Sequence, residues 1–405
     1  MKLPRVALLT VGDEVLGGRT INTNAAWLAQ RLGDRGFLVV ATETVGDEEF
    51  AIADAIKGLG GRADVVFVTG GLGPTPDDIT REALAGAAGR LLVVDKKLKA
   101  EIARRTGGRA PRRNARMARV PEGAIVFDNP VGTAAGLRVD MGGTPVYALP
   151  GVPLEMEAIF DESVLPDLDR LFADAEPVPQ RTLRVFGLRE AEVADKLGPL
   201  LERGREPVVG VTVRDGIITV TVIGAGADGR AEEIREQLGD HVFGEGEQTL
   251  AGVVLAGLRE KGLTLATAES ATGGMLASLV VDQPGASAVL RGAVVAYHAD
   301  VKHGLLGVPK TVLKREGSVS AEVTLRMARG VRKALGVDVA LATTGVGGPD
   351  KDEKGTAVGD GFVAVAGPQK GKRGEEVVPL HFTGDRNAIR RRLAWSALDL
   401  LRRRL

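Results

Sequence analysis

The stretch Thr267 to Gly274 reads Thr-Ala-Glu-Ser-Ala-Thr-Gly-Gly. The apolar, partly β-branched residues before it, Leu263-Thr264-Leu265-Ala266, predict a buried strand, and Met275 to Val281 can continue as a helix. A serine at such a break sits at the carboxyl end of a strand, where open α/β sheets keep their ligands. Unpaired N–H groups at the helix start would favour an anion at the same spot. Gly273 and Gly274 would let a ligand approach the backbone closely. Alone, the octet reads more readily as an ordinary N-cap and a glycine turn. Further along stands Tyr297-x4-Lys302. A desolvated lysine can lose its proton near neutral pH and activate a serine without histidine, and a tyrosine could relay that proton. Taken singly, Tyr297 reads as a half-buried strand residue and Lys302 as a surface lysine.

A second set of reactive types lies near the amino terminus. Gly70-Gly71-Leu72-Gly73-Pro74-Thr75-Pro76 leads straight into Asp77-Asp78. The glycines would leave backbone N–H groups open for a phosphate. Paired carboxylates beside a phosphate repel it unless a divalent cation such as Mg²⁺ bridges them. The plainer reading is an acidic helix start complementing the macrodipole. Arg104, Arg105, Arg109, Arg112, Arg113, Arg116 and Arg119 form a basic stretch, either a solvated face or a source of one or two arginines over a diphosphate. Thr343-Thr344-Gly345-Val346-Gly347-Gly348-Pro349-Asp350 is another glycine-rich loop fitted to an anion or a ribose, and His298, His303 and His381 have no metal-ligand spacing.

These residues need positioning elements. Val6–Val11, Phe37–Val40 and Asp64–Thr69 read as strands, with helices starting near Asn22 or Thr23 and spanning 49–60. That alternation predicts a parallel sheet covered by helices over residues 1–172. A proline-bearing linker opens residues 173–248, a small β-α-β-β-α unit with helices over 189–203 and 227–239 and a hairpin turning at Asp215-Gly216. Residues 249–405 alternate again, with strands over 289–297, 337–342, 363–366 and 377–382. The expected fold class is α/β: two three-layer α/β/α domains joined by a small α+β domain.

The 405 residues carry 53 Lys plus Arg against 53 Asp plus Glu, so no whole-chain grip on nucleic acid or an anionic membrane is indicated. Aromatics are 3%, too few for a stacking platform. The chain has no cysteine, which excludes disulfides and thiolate metal sites and fits a reducing compartment. With no cleavable signal or membrane span visible, a cytoplasmic protein is expected.

GDEVLGGRTINTNAAWLA, TGGLGPTPDDITREAL, NPVGTAAG and LPGVPLEM, in this order, resemble the amino-terminal domain of the CinA (competence/damage-inducible) family, itself similar to the molybdopterin-binding MoaB/MogA domain. TAESATGG, Tyr297-x4-Lys302, TTGVGGPD and HFTGDRNAIRRRLAWSAL resemble the family's carboxy-terminal domain, and the unit between them its KH-like domain. For the first domain the resemblance implies a metal-dependent ADP-ribose pyrophosphatase yielding AMP and ribose 5-phosphate. Asn24 and the metal-linked Glu14, Asp77 and Asp78 would be its polar residues, and Gly70, Gly71, Gly73 and Thr75 its phosphate loop. For the last domain it implies deamidation of nicotinamide mononucleotide (NMN) to nicotinate mononucleotide without a metal. Ser270 would be the nucleophile, activated by Lys302 and Tyr297. Thr272, Gly273 and Gly274 would supply the oxyanion-facing or phosphate-facing backbone, and Thr344, Gly345 and Arg390 further contacts. Two positions depart from the family pattern: Ala271 replaces a common cysteine, and Gly359-Asp360-Gly361 replaces Gly-Thr-Val at one wall of the pocket. A KH unit that clamps nucleic acid needs Gly-x-x-Gly between helices. Here Gly226-Ala227-Asp228-Gly229 follows a strand, so a connecting or homodimer-forming role is expected instead. A rival reading is a non-catalytic nucleotide- or pterin-binding adaptor.

Overall fold

The computed structural model describes residues 3–107, 112–367 and 374–405, with Arg112 and Arg113 described by backbone only. Arg109 and the side chains of Arg112 and Arg113 therefore lie outside the described part of the basic stretch. The chain divides into two compact units, Met1–Val178 and Pro179–Leu405.

The first unit is built on a six-stranded sheet in the order Leu38–Val45, Arg5–Val11, Val65–Thr69, Thr144–Leu149, Gly136–Met141, Ile125–Phe127. The first four strands are mutually parallel, and the last two are added by antiparallel pairing, so that only Gly136–Met141 runs against the rest. Alternate residues face opposite ways, as the period-2 geometry of a strand requires. Val6, Leu8, Phe67 and Tyr147 pack with Leu28, Leu32 and Phe160. Ala7, Leu9, Val66 and Val68 pack with Ile52, Ile56 and Leu84. A strand buried on both faces must be apolar throughout, which is why these strands read as continuous hydrophobic runs.

The second unit holds two sheets. One is antiparallel, in the order Val208–Arg214, Ile217–Ile223, Gln180–Val185, Val242–Glu245, and its core includes Val193, Leu197, Ile234 and Leu238 from the helices Glu190–Leu197 and Ala227–Leu238. The helix expected over 189–203 stops at Leu197, where Gly198-Pro199 starts a short 3₁₀ turn. The fourth strand, Val242–Glu245, was not anticipated.

The other sheet runs Leu290–Val295, Leu265–Glu269, Val339–Gly345, Asp360–Ala366, Glu375–His381; the first three are parallel and the last two are added by antiparallel pairing, so that only Asp360–Ala366 runs against the rest. One face packs Leu265, Leu341, Val363 and Val365 against Leu255, Leu276, Ile389 and Leu393. The other presents Ala266, Ala268, Ala340, Ala342 and Ala364 to Val323, Met327 and Val331. These small residues bring the helix Ala321–Leu335 close to the sheet. The fold class is therefore as expected, α/β layers with a small α+β domain between. Among the described residues no helix is long and apolar enough to cross a membrane.

Candidate active sites

The strand ahead of the serine runs Leu265–Glu269, not 263–266, so Ser270 directly follows its last residue. The polar end, Thr267 and Glu269, is fully buried, which hid the strand from a search for apolar runs. Ser270 Oγ accepts a hydrogen bond of 2.9 Å from Lys302 Nζ. Lys302 lies on the helix Ala299–Leu306 with only 1% of its surface exposed. Burial pushes its ammonium down to about 8, because the charged form loses its hydration. Geometry and protonation together are those that a serine nucleophile with its own base requires.

The helix start behind Ser270 is not open to an anion. Glu269, buried, accepts from the N–H groups of Gly274 (2.9 Å), Leu276 (3.0 Å) and Ala277 (2.8 Å). Its carboxylate occupies the place an anionic ligand was expected to take. Gly273 N–H is also used, donating to Ser270 O. Thr272 is buried with its hydroxyl on that of Thr343. Thr272, Gly273 and Gly274 thus build the turn and do not line the cavity. Arg390 is likewise redirected: Nε donates to Ala271 O (3.1 Å) and Nη2 to Thr272 O (2.8 Å). It clamps the serine turn from behind. The N–H groups of Ala271 and Thr272 make no hydrogen bond among the described residues.

The cavity beside Ser270 has a volume of about 230 Å³. Lys302, Tyr297, Gly345 and the loop Val346–Gly348 line it, together with Ser318, Val319, Asp350, Asp352 and Arg386. The Thr344 hydroxyl turns away to Thr324 (2.7 Å). Tyr297 stands at the exposed mouth, its hydroxyl accepting from Arg386 Nη2 at 2.7 Å, and it shares no hydrogen bond with Ser270 or Lys302. The expected relay through Tyr297 is not formed; the tyrosine and Arg386 make a polar rim. At Gly359-Asp360-Gly361 the wall is kept by backbone: Val346 N–H donates to Asp360 O and Gly359 N–H to Val346 O. The Asp360 carboxylate pairs with His381 instead (2.7 Å).

In the first unit, a cavity of about 450 Å³ opens at the carboxyl ends of the strands, lined by Glu14, Asn24, Gly70, Gly71, Gly73, Asp77 and Asp78 among others. Thr75 is outside the lining. The loop is not the free phosphate cradle its glycines suggested. Asp78 accepts from Gly73 N–H (2.8 Å), Thr75 N–H (2.7 Å) and the Thr75 hydroxyl (2.5 Å). Gly70 N–H donates to Leu149 O. The N–H groups of Gly71 and Leu72 alone among the non-proline residues 70–73 make no hydrogen bond within the described residues. Gly70 and Gly71 are glycines for packing: a Cβ would meet Val11 O or Thr80 Oγ1 at 2.2 Å. Buried Arg81, missed in the sequence, holds the loop by donating to Leu72 O (2.6 Å) and Gly73 O (2.9 Å). Of the basic stretch, Arg116 donates to Thr75 O at 3.1 Å, gripping the loop itself.

Asp78 is thus a loop organiser. Glu14 and Asp77 face the cavity with Asp47 and Glu155, two acids that sequence reasoning did not single out. Burial, reinforced by Asp13, Glu14 and Asp77, pushes the Asp47 carboxyl above its usual range. Among the described residues no three His, Cys, Asp or Glu side chains converge as a ready metal cage, so Glu14, Asp77 and Asp78 do not form one. Two buried atoms on the cavity floor lack partners among the described residues, Asn24 Oδ1 and Thr69 Oγ1. Asn24 is fixed by its amide donating to Gly151 O (2.9 Å), leaving Oδ1 for a donor from outside.

Family descriptions match along almost the whole chain. Residues 7–170 match the "Probable molybdopterin binding domain", 180–244 the "Damage-inducible protein CinA KH domain" and 247–405 the "CinA C-terminal domain". A CinA-like protein of Frankia casuarinae is 42% identical over 99% of this chain and 96% of its own. One from Geobacter metallireducens is 40% identical over 99% of each. A solved structure described as the protein CinA with unknown function, from Thermoplasma acidophilum, is 39% identical with a TM-score of 0.40, covering 41% of this chain and 98% of that one. With full-length relatives at this identity and all three parts matched in order, the chain belongs to the CinA family.

Proposed function

We propose that the protein is a bifunctional hydrolase of pyridine-nucleotide salvage: an NMN deamidase in its last domain and a metal-dependent ADP-ribose pyrophosphatase in its first. The observation that carries the first half is the buried Lys302–Ser270 contact of 2.9 Å beside an open cavity. Ser270 Oγ adds to the carboxamide carbon of NMN while neutral Lys302 takes its proton. The lysine returns that proton to the departing ammonia, and water then cleaves the acyl-serine to nicotinate mononucleotide and free serine. The N–H group of Ala271, a residue that lines the cavity, is the oxyanion donor in this reading, with Arg390 holding the Ala271 carbonyl.

Arg386, in the cavity wall, supplies a positive charge for the nucleotide phosphate. Arg386→Gln is expected to raise KM for NMN by about 10-fold or more, the loss of one charge-assisted hydrogen bond, with kcat reduced far less. Steady-state kinetics tests this, and an unchanged KM would remove Arg386 from the site.

For the first domain, support comes from the unpartnered floor atoms, which await a ligand donor, and from the carboxylates around Asp47. Mg²⁺ is held by one or two carboxylates plus substrate phosphates more often than by an all-protein cage, and Glu14 with Asp77 fits that arrangement. When bound, the ion would neutralise the diphosphate. Asp77→Asn is expected to cut Mg²⁺-dependent ADP-ribose hydrolysis by on the order of 10²-fold with the melting temperature unchanged. Asp78→Ala is expected to lose activity together with about 1 kcal/mol or more of stability, since two loop N–H groups lose their acceptor. The same melting temperature in both variants would contradict this division of labour. The test of the whole reading is incubation with NMN, and with ADP-ribose plus Mg²⁺, followed by product analysis. Ligand binding without turnover would favour a nucleotide- or pterin-binding adaptor.

A further inference from the structure

A cavity of about 850 Å³, larger than either candidate active site, lies within the second unit, between the small α+β domain and the last domain. None of its lining residues lines the serine cavity. Its walls are fixed on both sides. Phe186 and Phe243 of the small domain share one hydrophobic core with Leu398 and Leu401 of the last helix. Arg391 pairs with Asp215, and Arg402 donates to Asp240 O. The space between is held open by the two domains, a common setting for ligand sites of this size.

The lining has a definite chemistry. Phe186, Leu188, Ile218, Leu380 and Phe382 make it apolar and partly aromatic. Arg189 projects from the small domain and Arg392 from the last helix. Most arginines nearby are paired with carboxylates, yet neither of these two has an ion-pair partner among the described residues. Arg392 is held over the Phe382 ring at 5.9 Å and donates to Thr383 O at 3.3 Å. Glu192 makes no ion pair with the Arg189 side chain among the described residues; its carboxylate accepts the Arg189 backbone N–H at 2.6 Å and keeps its charge on the rim. Glu190 on the same rim and the His381–Asp360 pair limit how much negative charge the cavity can accept.

We propose that this cavity is a second small-molecule site, taking a planar ring that carries a single anionic group. The ring packs against Phe186 and Phe382, and the charge sits between Arg189 and Arg392. The inference stands apart from both proposed activities. It is tested by calorimetric titration of the intact chain with AMP (ring plus phosphate ester) and nicotinate (ring plus carboxylate). Benzamide and inorganic phosphate serve as ring-only and charge-only controls. At least one of the two probes is expected to occupy a site that weakens tenfold or more in the Arg189→Gln/Arg392→Gln double variant, and the probe that does so identifies the anionic group. Ser396→Trp, which fills the cavity without changing its charge, should abolish the same site and covers a double variant that fails to fold. Binding of both probes unaltered by these variants, no binding of either to the wild type, or inorganic phosphate binding as tightly as AMP would overturn the proposal.

Discussion

Ser270→Ala is expected to lower NMN deamidation by on the order of 10³-fold or more, chiefly in kcat, because it deletes the attacking oxygen and leaves the cavity in place. The turn survives the change: Ser270 N–H donates to Thr343 O at 3.0 Å, and Arg390 holds the next two carbonyls. The variant should still bind NMN with an affinity near the wild type's. A second measurement separates covalent catalysis from simple activation of water. With hydroxylamine present, the wild type should release the hydroxamate of nicotinate mononucleotide, since a strong nucleophile competes with water for an acyl-serine. Ser270→Ala should release none. Turnover in the variant within about tenfold of wild type would end the serine mechanism, whatever the fate of the ADP-ribose reaction.

What the sequence could reveal depended on whether a residue's role is local. Ser270 and Lys302 were legible because a serine after a strand and a lysine after the next strand of a parallel sheet arrive at the same edge. Glu269 was not. A buried carboxylate is tolerable only when several N–H donors surround it, and nothing in Thr-Ala-Glu-Ser says that Gly274, Leu276 and Ala277 will turn back to supply them. Arg386 and Arg390 lie one turn apart on the final helix, so sequence spacing cannot say which reaches the ligand. Distance from the helix start decides: Arg386, its first residue, reaches the cavity rim, whereas Arg390 meets the backbone of the serine turn. Asp77 and Asp78 posed the same problem. Side by side they look like a pair of ligands, but the chain reverses around Asp78, which serves Gly73 and Thr75. The strand Val242–Glu245 was missed because four residues with a central glycine carry almost no periodic signal.

Lys302 should show the opposite of what its neighbours' loss would bring: its removal should abolish activity and stabilise the fold. The lysine is 1% exposed, and burial alone moves its ammonium from 10.5 to about 8. At pH 7 the folded and unfolded chains both hold the proton, so the folded state carries the full cost of a buried charge, about 3 kcal/mol. Between pH 8 and 10.5 the folded chain has released the proton while the unfolded chain still binds it. Stability therefore rises with pH across that window. Lys302→Met keeps the volume and removes the charge. At pH 7 it should melt several degrees higher than wild type, at about 2–4 °C per kcal/mol for a unit of this size. The gap should close as pH approaches 10.5. In the proposed mechanism the same proton governs catalysis. Only about a tenth of the free enzyme has a neutral lysine at pH 7, so kcat/KM for NMN should rise about tenfold between pH 7 and 9 and level off above. A serine driven by a buried amine thus trades fold stability for a base that works near neutrality. Lys302→Met melting below wild type at pH 7, or a kcat/KM profile flat from pH 7 to 9, would break that link between burial and reactivity.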